Sequence, residues 1–246
     1  FHYIKNLREV VAGSRISEGM EELISQTYNL KISSKNKWYK VKSGVLLSKD
    51  GKTVYGPASP SRKIVIPNGV KKIKKLAFFF QCNYRKMNVK SIYIPASVNR
   101  IEMRSLSSNQ GTIITISKKN MRYGLSGDCL YSKKTGRLVA AINQTGTLKI
   151  PKEVKKITSN LSLAGEGFDL VVIPKTVKVI DTWSIHELTH TDFDNKWGDT
   201  QFLSANPPKT MLGDYFYGTT VYVPQIGYKA YKEALKGKNC VIKIRG

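Results

Sequence analysis

Acidic residues are scarce in this sequence. Its 246 residues hold 17 Asp+Glu against 41 Lys+Arg, a formal charge of +24. Cysteine is scarce too. Cys82, Cys129 and Cys240 form no Cys-x-x-Cys pair, which excludes a zinc knuckle or a thioredoxin-type motif. An odd count allows at most one internal bridge, and small buried thiols are the expectation. That fits a cytosolic protein, or an exported bacterial one that does not depend on disulfides. No apolar run is long enough for a bilayer-spanning helix, so no transmembrane segment is expected. The chain opens on Phe1 with no charged and apolar leader before it. A processed product whose signal peptide has gone is therefore expected. The strings Gly-x-Ser-x-Gly, Gly-x-x-x-x-Gly-Lys-Ser/Thr and Gly-x-Gly-x-x-Gly are missing, which leaves serine hydrolysis and nucleotide binding without support. What is present can build a core. Hydrophobic residues make up 41% and aromatics 10%, which excludes a disordered basic tail.

The chain repeats itself. Four segments read apolar-x-apolar-Pro-x-x-Val-x-x-Ile: Ile64 to Pro67 with Val70 and Ile73, Ile92 to Pro95 with Val98 and Ile101, Leu148 to Pro151 with Val154 and Ile157, and Val171 to Pro174 with Val177 and Ile180. A fifth, Val221-Tyr222-Val223-Pro224, begins the same way and diverges. A longer repeat lies over these. Ile32 to Tyr39 reappears as Ile116 to Tyr123, and Leu46-Leu47-Ser48-Lys49 as Leu130-Tyr131-Ser132-Lys133, both shifted by 84 positions. Each larger copy runs from a strand to a hairpin, turning at Asp50-Gly51 or Thr135-Gly136, and then to the Ile-Pro phrase.

The alternating apolar residues before each Pro predict a short strand with one buried face. Proline lacks an N–H and ends the strand. The Val and Ile that follow, three apart, are expected on a turn or short helical segment. Each unit is too small to bury its apolar edge alone, and stacking makes one continuous core. The expected fold is thus an α/β repeat solenoid, β-rich with short helical turns, inserted β-hairpins and a C-terminal capping helix. It spans 1–246 as a single array, with 1–30 a degenerate N-terminal repeat or cap and 206–246 a C-terminal capping unit. Ile16, Met20, Leu23 and Ile24 have helical spacing near the start, and Leu30-Lys31-Ile32 reads as the next strand. Tyr228, Tyr231 and Leu235 share a helix face near the end, Gly237 stops that helix, and Cys240, Ile242 and Ile244 alternate as a last strand.

These residues resemble the BspA-like leucine-rich-repeat proteins of bacterial cell surfaces. The Ile-Pro-x-x-Val-x-x-Ile phrase is similar to that family's signature, Leu76-Ala77-Phe78 to its Ala-Phe step, and Asn36 to Val54 to its interspersed hairpin. Val221 to Pro224 with Tyr228 to Tyr231 is similar to its closing segment. The resemblance implies a right-handed leucine-rich-repeat solenoid, extracellular or cell-surface display, and adhesion to host or matrix proteins. It implies no catalytic residues. Three features depart from the pattern: Ile116-Ser117 lacks the Pro, Thr182-Trp183-Ser184-Ile185 replaces the Ala-Phe step, and the charge is unusually positive.

Three sets of residues are candidates for function. His186-Glu187-Leu188-Thr189-His190 spells the zinc-metalloprotease string, which works only on a helix that aims both imidazoles the same way. In repeat register Leu188 to Phe193 reads as a strand, and a third ligand would have to be distant, such as Glu233. A zinc hydrolase is the remote reading, and no metal, cofactor or catalytic residue is assigned. The basic residues between Val and Ile of each unit are the second set: Lys71, Lys72, Lys74, Lys75, Arg100, Lys155, Lys156 and Lys178. Stacked coils would line them along one edge with few carboxylates near. That edge would suit a polyanion such as a glycosaminoglycan, nucleic acid (not favoured) or anionic lipid. The third set is aromatic: Trp38, Tyr39, Tyr55, Tyr123, Tyr131 and Tyr215-Phe216-Tyr217, able to meet sugars or proteins if exposed. Gly165-Glu166-Gly167 reads as a loop between coils. The expectation is a non-enzymatic, adhesin-like, monomeric surface module that binds a host or matrix protein, or alternatively an anionic glycan or other polyanion.

Overall fold

The computed structural model describes residues 7–17, 27–78, 89–106, 112–142, 146–158, 161–163, 167–190, 197–212, 216 and 218–245. The chain divides into two compact units, Phe1–Arg122 and Tyr123–Gly246.

The first unit opens with β1 (Leu7–Ala12) and β2 (Thr27–Ile32), paired in parallel. Residues 18–26, where a helix is predicted, lie outside the described residues. Next come β3 (Tyr39–Lys42), β4 (Val45–Ser48) and β5 (Thr53–Pro57), an antiparallel meander. It turns twice, at Ser43-Gly44 and at Gly51, all with positive φ. Only the second turn was legible in the sequence. Then follow β6 (Lys63–Val65), β7 (Lys72–Ile73), β8 (Ser91–Ile94), β9 (Arg100–Ile101) and β10 (Ile113–Ile116). They alternate between two parallel sheets. β6, β8 and β10 form one, and β7 and β9 extend the meander from β5.

Each coil therefore gives two strands: a turn follows the Pro, as one of the two expectations had it, but the Ile beyond it lies on a second strand and not on a helical segment. The strand before Pro67 or Pro95 stops where the ring removes the donor. The Val70 and Val98 amides then donate to the Pro67 and Pro95 carbonyls, both at 3.3 Å, closing one turn over a buried valine. The chain next extends. Lys74 N–H donates to the Val54 carbonyl and Glu102 N–H to the Ile73 carbonyl, each at 3.0 Å. Ile73 and Ile101 are thereby buried on a second ladder rather than on a helix face.

Two asparagines replace that valine where a meander begins. Asn36 and Asn120 are 1% and 0% exposed, so their amides must be bonded inside. The Asn120 side-chain amide donates to the Pro95 and Val98 carbonyls (3.0 and 2.9 Å), and its oxygen accepts from the Arg122 amide (2.9 Å). Asn36 does the same with the Gly13 and Ile16 carbonyls and the Trp38 and Tyr39 amides. One side chain thus clamps the preceding coil and launches the hairpin, so Ile116-Ser117 needs no proline.

The second unit repeats the plan. β11 (Tyr123–Ser126), β12 (Cys129–Ser132) and β13 (Leu138–Ala141) form the meander. Its bulge at Leu130/Tyr131 sits 84 positions after the one at Leu46/Leu47. β14 (Thr147–Lys149), β15 (Lys156–Ile157), β16 (Ser162–Leu163), β17 (Leu170–Ile173) and β18 (Val179–Asp181) follow, then α1 (Thr182–Thr189). After α1 come β19 (Asp199–Phe202), β20 (Thr210–Leu212) and β21 (Thr220–Val223). A 3-10 turn (Gln225–Gly227), α2 (Tyr228–Ala234) and β22 (Val241–Ile244) end the chain. β14, β17, β19, β21 and β22 make one parallel sheet, and β15, β18 and β20 a second. Ile150, Val154, Ile157, Ile173, Val177 and Ile180 share one core cluster. Gly227 takes the valine position of the divergent fifth segment, because a Cβ there would stand 2.2 Å from the Ala205 carbonyl oxygen. Tyr231 on α2 and Leu235 at its C-cap are buried, and Gly237 turns with positive φ just beyond.

Candidate binding edge and the histidine helix

The second ladder of each unit carries the basic residues. In the first unit Lys72 is the register partner of Arg100 and of Thr53. The Lys71 amide donates to the Lys52 carbonyl and the Asn99 amide to the Lys71 carbonyl, so Lys52, Lys71 and Asn99 form the next column. Lys52, Lys71, Lys75 and Arg100 are exposed, and Lys72 and Lys74 half-buried. One carboxylate sits among them. Glu102 pairs with Arg100 at 3.3 Å and Lys72 at 3.9 Å, and accepts from the Lys75 amide at 3.0 Å.

In the second unit Lys156 pairs with Val179 and bridges Arg137. The Lys178 amide donates to the Lys155 carbonyl, and Lys209 precedes Thr210, the partner of Val179. Lys155, Lys178 and Lys209 thus form a column of exposed cations, at about 4.8 Å per coil. Sequence reasoning missed Lys52 and Lys209. Lys52 belongs to the meander, and Lys209 to a coil whose Val and Ile positions diverge after Asn206-Pro207-Pro208. Their own strands carry no Ile-Pro phrase to mark the register.

The aromatic candidates separate. Trp38 is 44% exposed. Tyr39 is buried, its ring edge-on to Tyr55 at 5.2 Å and its hydroxyl donating to the Ser17 carbonyl. Tyr123 and Tyr131 are half-buried and Phe216 is buried, while Tyr215 and Tyr217 lie outside the described residues. A set that sequence reasoning missed is exposed on the first sheet: Val65, Tyr93 and Ile113, on neighbouring strands β6, β8 and β10. Their alternation with buried Ile64, Ile92 and Ile114 was the available signal.

His186 to Thr189 are helical, which corrects the expectation of a strand at Leu188 and Thr189; His190 is extended and bridges Trp197, and residues 191–193 lie outside the described residues. Asp181 caps α1, its carboxylate accepting from the Trp183 amide at 3.1 Å. Ser184, Ile185, Leu188 and Thr189 face the core, and His186 and His190 lie half-buried on the other side. Trp183, His186 and His190 stack in series, with centroids 4.9 and 5.0 Å apart and planes within 9°. Trp197 packs across both imidazoles at 4.5 and 4.6 Å. The helix end is held by two glycines. The Gly167 amide donates to the His190 carbonyl and the Gly198 amide to the Thr189 carbonyl. A Cβ at either would collide with backbone. Gly167 therefore seats a helix as well as connecting coils; residues 164–166 lie outside the described residues. Among the described residues no group of three His, Cys, Asp or Glu is placed to hold a metal. Cys129 is a buried free thiol, which burial pushes up to about 12, and Cys240 is free and half-buried; Cys82 lies outside the described residues. No helix among the described residues is long and apolar enough to cross a membrane.

No family model and no curated protein matches the chain. Solved structures do. The pneumococcal vaccine antigen PcpA is 12% identical, with a TM-score of 0.40 over 98% of this chain and 56% of its own. A leucine-rich cell surface protein from Faecalibacterium prausnitzii A2-165 is 16% identical, with a TM-score of 0.46 over 80% and 48%. A leucine-rich-repeat protein from Eubacterium ventriosum ATCC 27560 is 14% identical, with a TM-score of 0.46 over 88% and 68%. The chain spans about half the length of the first two. The site chemistry above comes from this chain's own residues. The chain is thus similar to one leucine-rich cell surface protein and one leucine-rich-repeat protein.

Proposed function

We propose that this chain is a non-enzymatic binding module displayed outside a bacterial cell, adhesin-like, and directed at host or matrix proteins. Its stacked coils are read as a solenoid closed by α2. The carrying observation is the exposed apolar set Val65, Tyr93 and Ile113 on a parallel sheet. Val65 and Tyr93 are register partners, and Ile113, opposite Ser91, lies diagonally from Tyr93 on the same face; apolar side chains grouped in water mark a contact surface. The sheet that bears them is fixed by its neighbours, so little ordering entropy is lost on binding. An array of immobilised matrix proteins and glycans, probed at physiological salt, tests this. Saturable binding to a protein is expected, weakened at least about tenfold by Tyr93→Ala with Ile113→Ser. Binding to no protein, or binding indifferent to that double change, contradicts it.

The second reading is polyanion binding along the ladders of Lys71, Lys72, Lys74, Lys75 and Arg100 and of Lys155, Lys156 and Lys178. The register of Lys72 with Arg100 and of Lys155 with Lys178 favours it. Heparin retention with a steep salt dependence is expected, falling when these residues become Ala. Retention no better than that of an equally basic control protein ends this reading. A zinc hydrolase through His186, Glu187 and His190 requires stoichiometric zinc, and metal analysis of the purified protein decides it.

A further inference from the structure

We propose that the turns 74–76 and 102–104 of the first unit form a contact site for an anionic lipid surface. The Ile73–Ile101 pair is the last of its ladder, and from it the two coils run on into turns as Lys74-Lys75-Leu76 and Glu102-Met103-Arg104. The two coils touch here: the Lys75 amide donates to Glu102, and the Phe78 amide to the Ser105 carbonyl at 2.9 Å. Behind the turns Ala77, Phe78, Ser105 and Leu106 are buried, so the tips cannot fold inward. Both tips pass through positive φ, at Leu76 (+60°) and Arg104 (+51°), where glycine or asparagine is usual. Instead each tip pairs an exposed cation with an exposed apolar side chain, Lys75 with Leu76 and Arg104 with Met103. Leu76 is 44% exposed and Met103 43%. In chain order the cation precedes the apolar residue in one tip, Lys75-Leu76, and follows it in the other, Met103-Arg104. Exposed Lys71 and Arg100 precede the turns on the same ladder, and Glu102 pairs with Lys72 and Arg100.

A bilayer surface satisfies both halves of this pattern. Its headgroups meet the cations, and the boundary beneath them takes apolar side chains. A nucleic acid would gain from aromatic platforms, and neither tip carries one. A glycan would meet the cations but leave Leu76 and Met103 unused. The second unit lacks the pattern: Thr158-Ser159-Asn160 follows Ile157, and Asp181 follows Ile180 to cap α1. Charge follows the same division. Residues 1–122 hold 24 Lys+Arg and 6 Asp+Glu, a balance of 24 − 6 = +18, and residues 123–246 hold 17 and 11, a balance of 17 − 11 = +6.

The attraction in this proposal rests on the polyanion reading; the apolar contact does not. The test is co-sedimentation of the full chain with phosphatidylcholine vesicles, with and without phosphatidylserine, beside heparin retention. The double variant Leu76→Asn, Met103→Ser keeps every charge, and asparagine accepts the backbone at position 76. An unchanged unfolding temperature checks its fold. The intact chain is expected to sediment only with phosphatidylserine vesicles. The variant should bind them about tenfold more weakly or worse, with heparin retention unchanged. A variant that binds phosphatidylserine vesicles as tightly as the intact chain overturns the lipid site and leaves the polyanion reading standing. So does heparin retention with no vesicle binding. Loss of both from the intact chain ends both.

Discussion

Asn120 shows how much one side chain can carry. Removing it by Asn120→Ala breaks three bonds: it strands the Val98 carbonyl, leaves the Pro95 carbonyl with the Val98 amide as donor, and takes the acceptor from the Arg122 amide. Each lost bond is worth about 1 kcal/mol net, more where a buried partner is orphaned, so a loss of about 3 kcal/mol is expected in urea unfolding. The exposed Asn99→Ala should stay within about 0.5 kcal/mol. The Cys129 thiol has its own signature. Burial raises its pKa from 9.0 to about 12, with the Asp128 charge adding in the same sense. A raised acid pKa means the unfolded chain loses its proton first. The contribution to stability is complete below pH 9, and declines as the pH climbs from 9 toward 12. At pH 8 the folded protein should modify with a thiol reagent at Cys129 only as fast as it unfolds. Rapid modification of Cys129 in the native protein would contradict its burial.

The elements were legible where the phrase was regular. Strands ending at each Pro, the buried Val and Ile, the hairpin turn at Gly51 and the last strand all follow from residue pattern. Two features were not. The second strand of each coil is only two or three residues long, so its ladder depends on the coil before it rather than on any local period. The histidine helix was misread because repeat register was extended over a segment whose own signals disagree. Asp181 is an N-cap, and Ile185 and Leu188 stand three apart with Ser184 and Thr189 beside them. Local capping won there over the repeat. Asp181→Ala should then cost about 1 kcal/mol, and Asp181→Asn much less. Gly198→Ala should do worse, because its Cβ would overlap the Phe168 carbonyl oxygen. Gly13→Ala, which meets nothing within 4 Å, is the comparison. Far-ultraviolet dichroism during thermal unfolding reads all of these.

For the molecule as a whole, the same small coil does different jobs by changing one or two positions. Valine after the Pro continues the stack, asparagine opens a meander, and Gly227 admits the close approach of Ala205. The basic edge was legible because it sits at fixed places in that coil. The exposed sheet set was less so, because Val65, Tyr93 and Ile113 read as ordinary strand residues until their neighbours bury the opposite face. The claim beneath all of this is that successive coils stand in register, one strand spacing apart. Nitroxide pairs on the outward face of the first sheet test it most directly: Lys63 with half-buried Ser91, and Lys63 with Ile113. Strong dipolar broadening is expected for both, with backbone separations of about 5 and 10 Å. Spectra without broadening, or a Lys63–Ile113 pair closer than Lys63–Ser91, would contradict the stacked coils and the binding surfaces drawn from them.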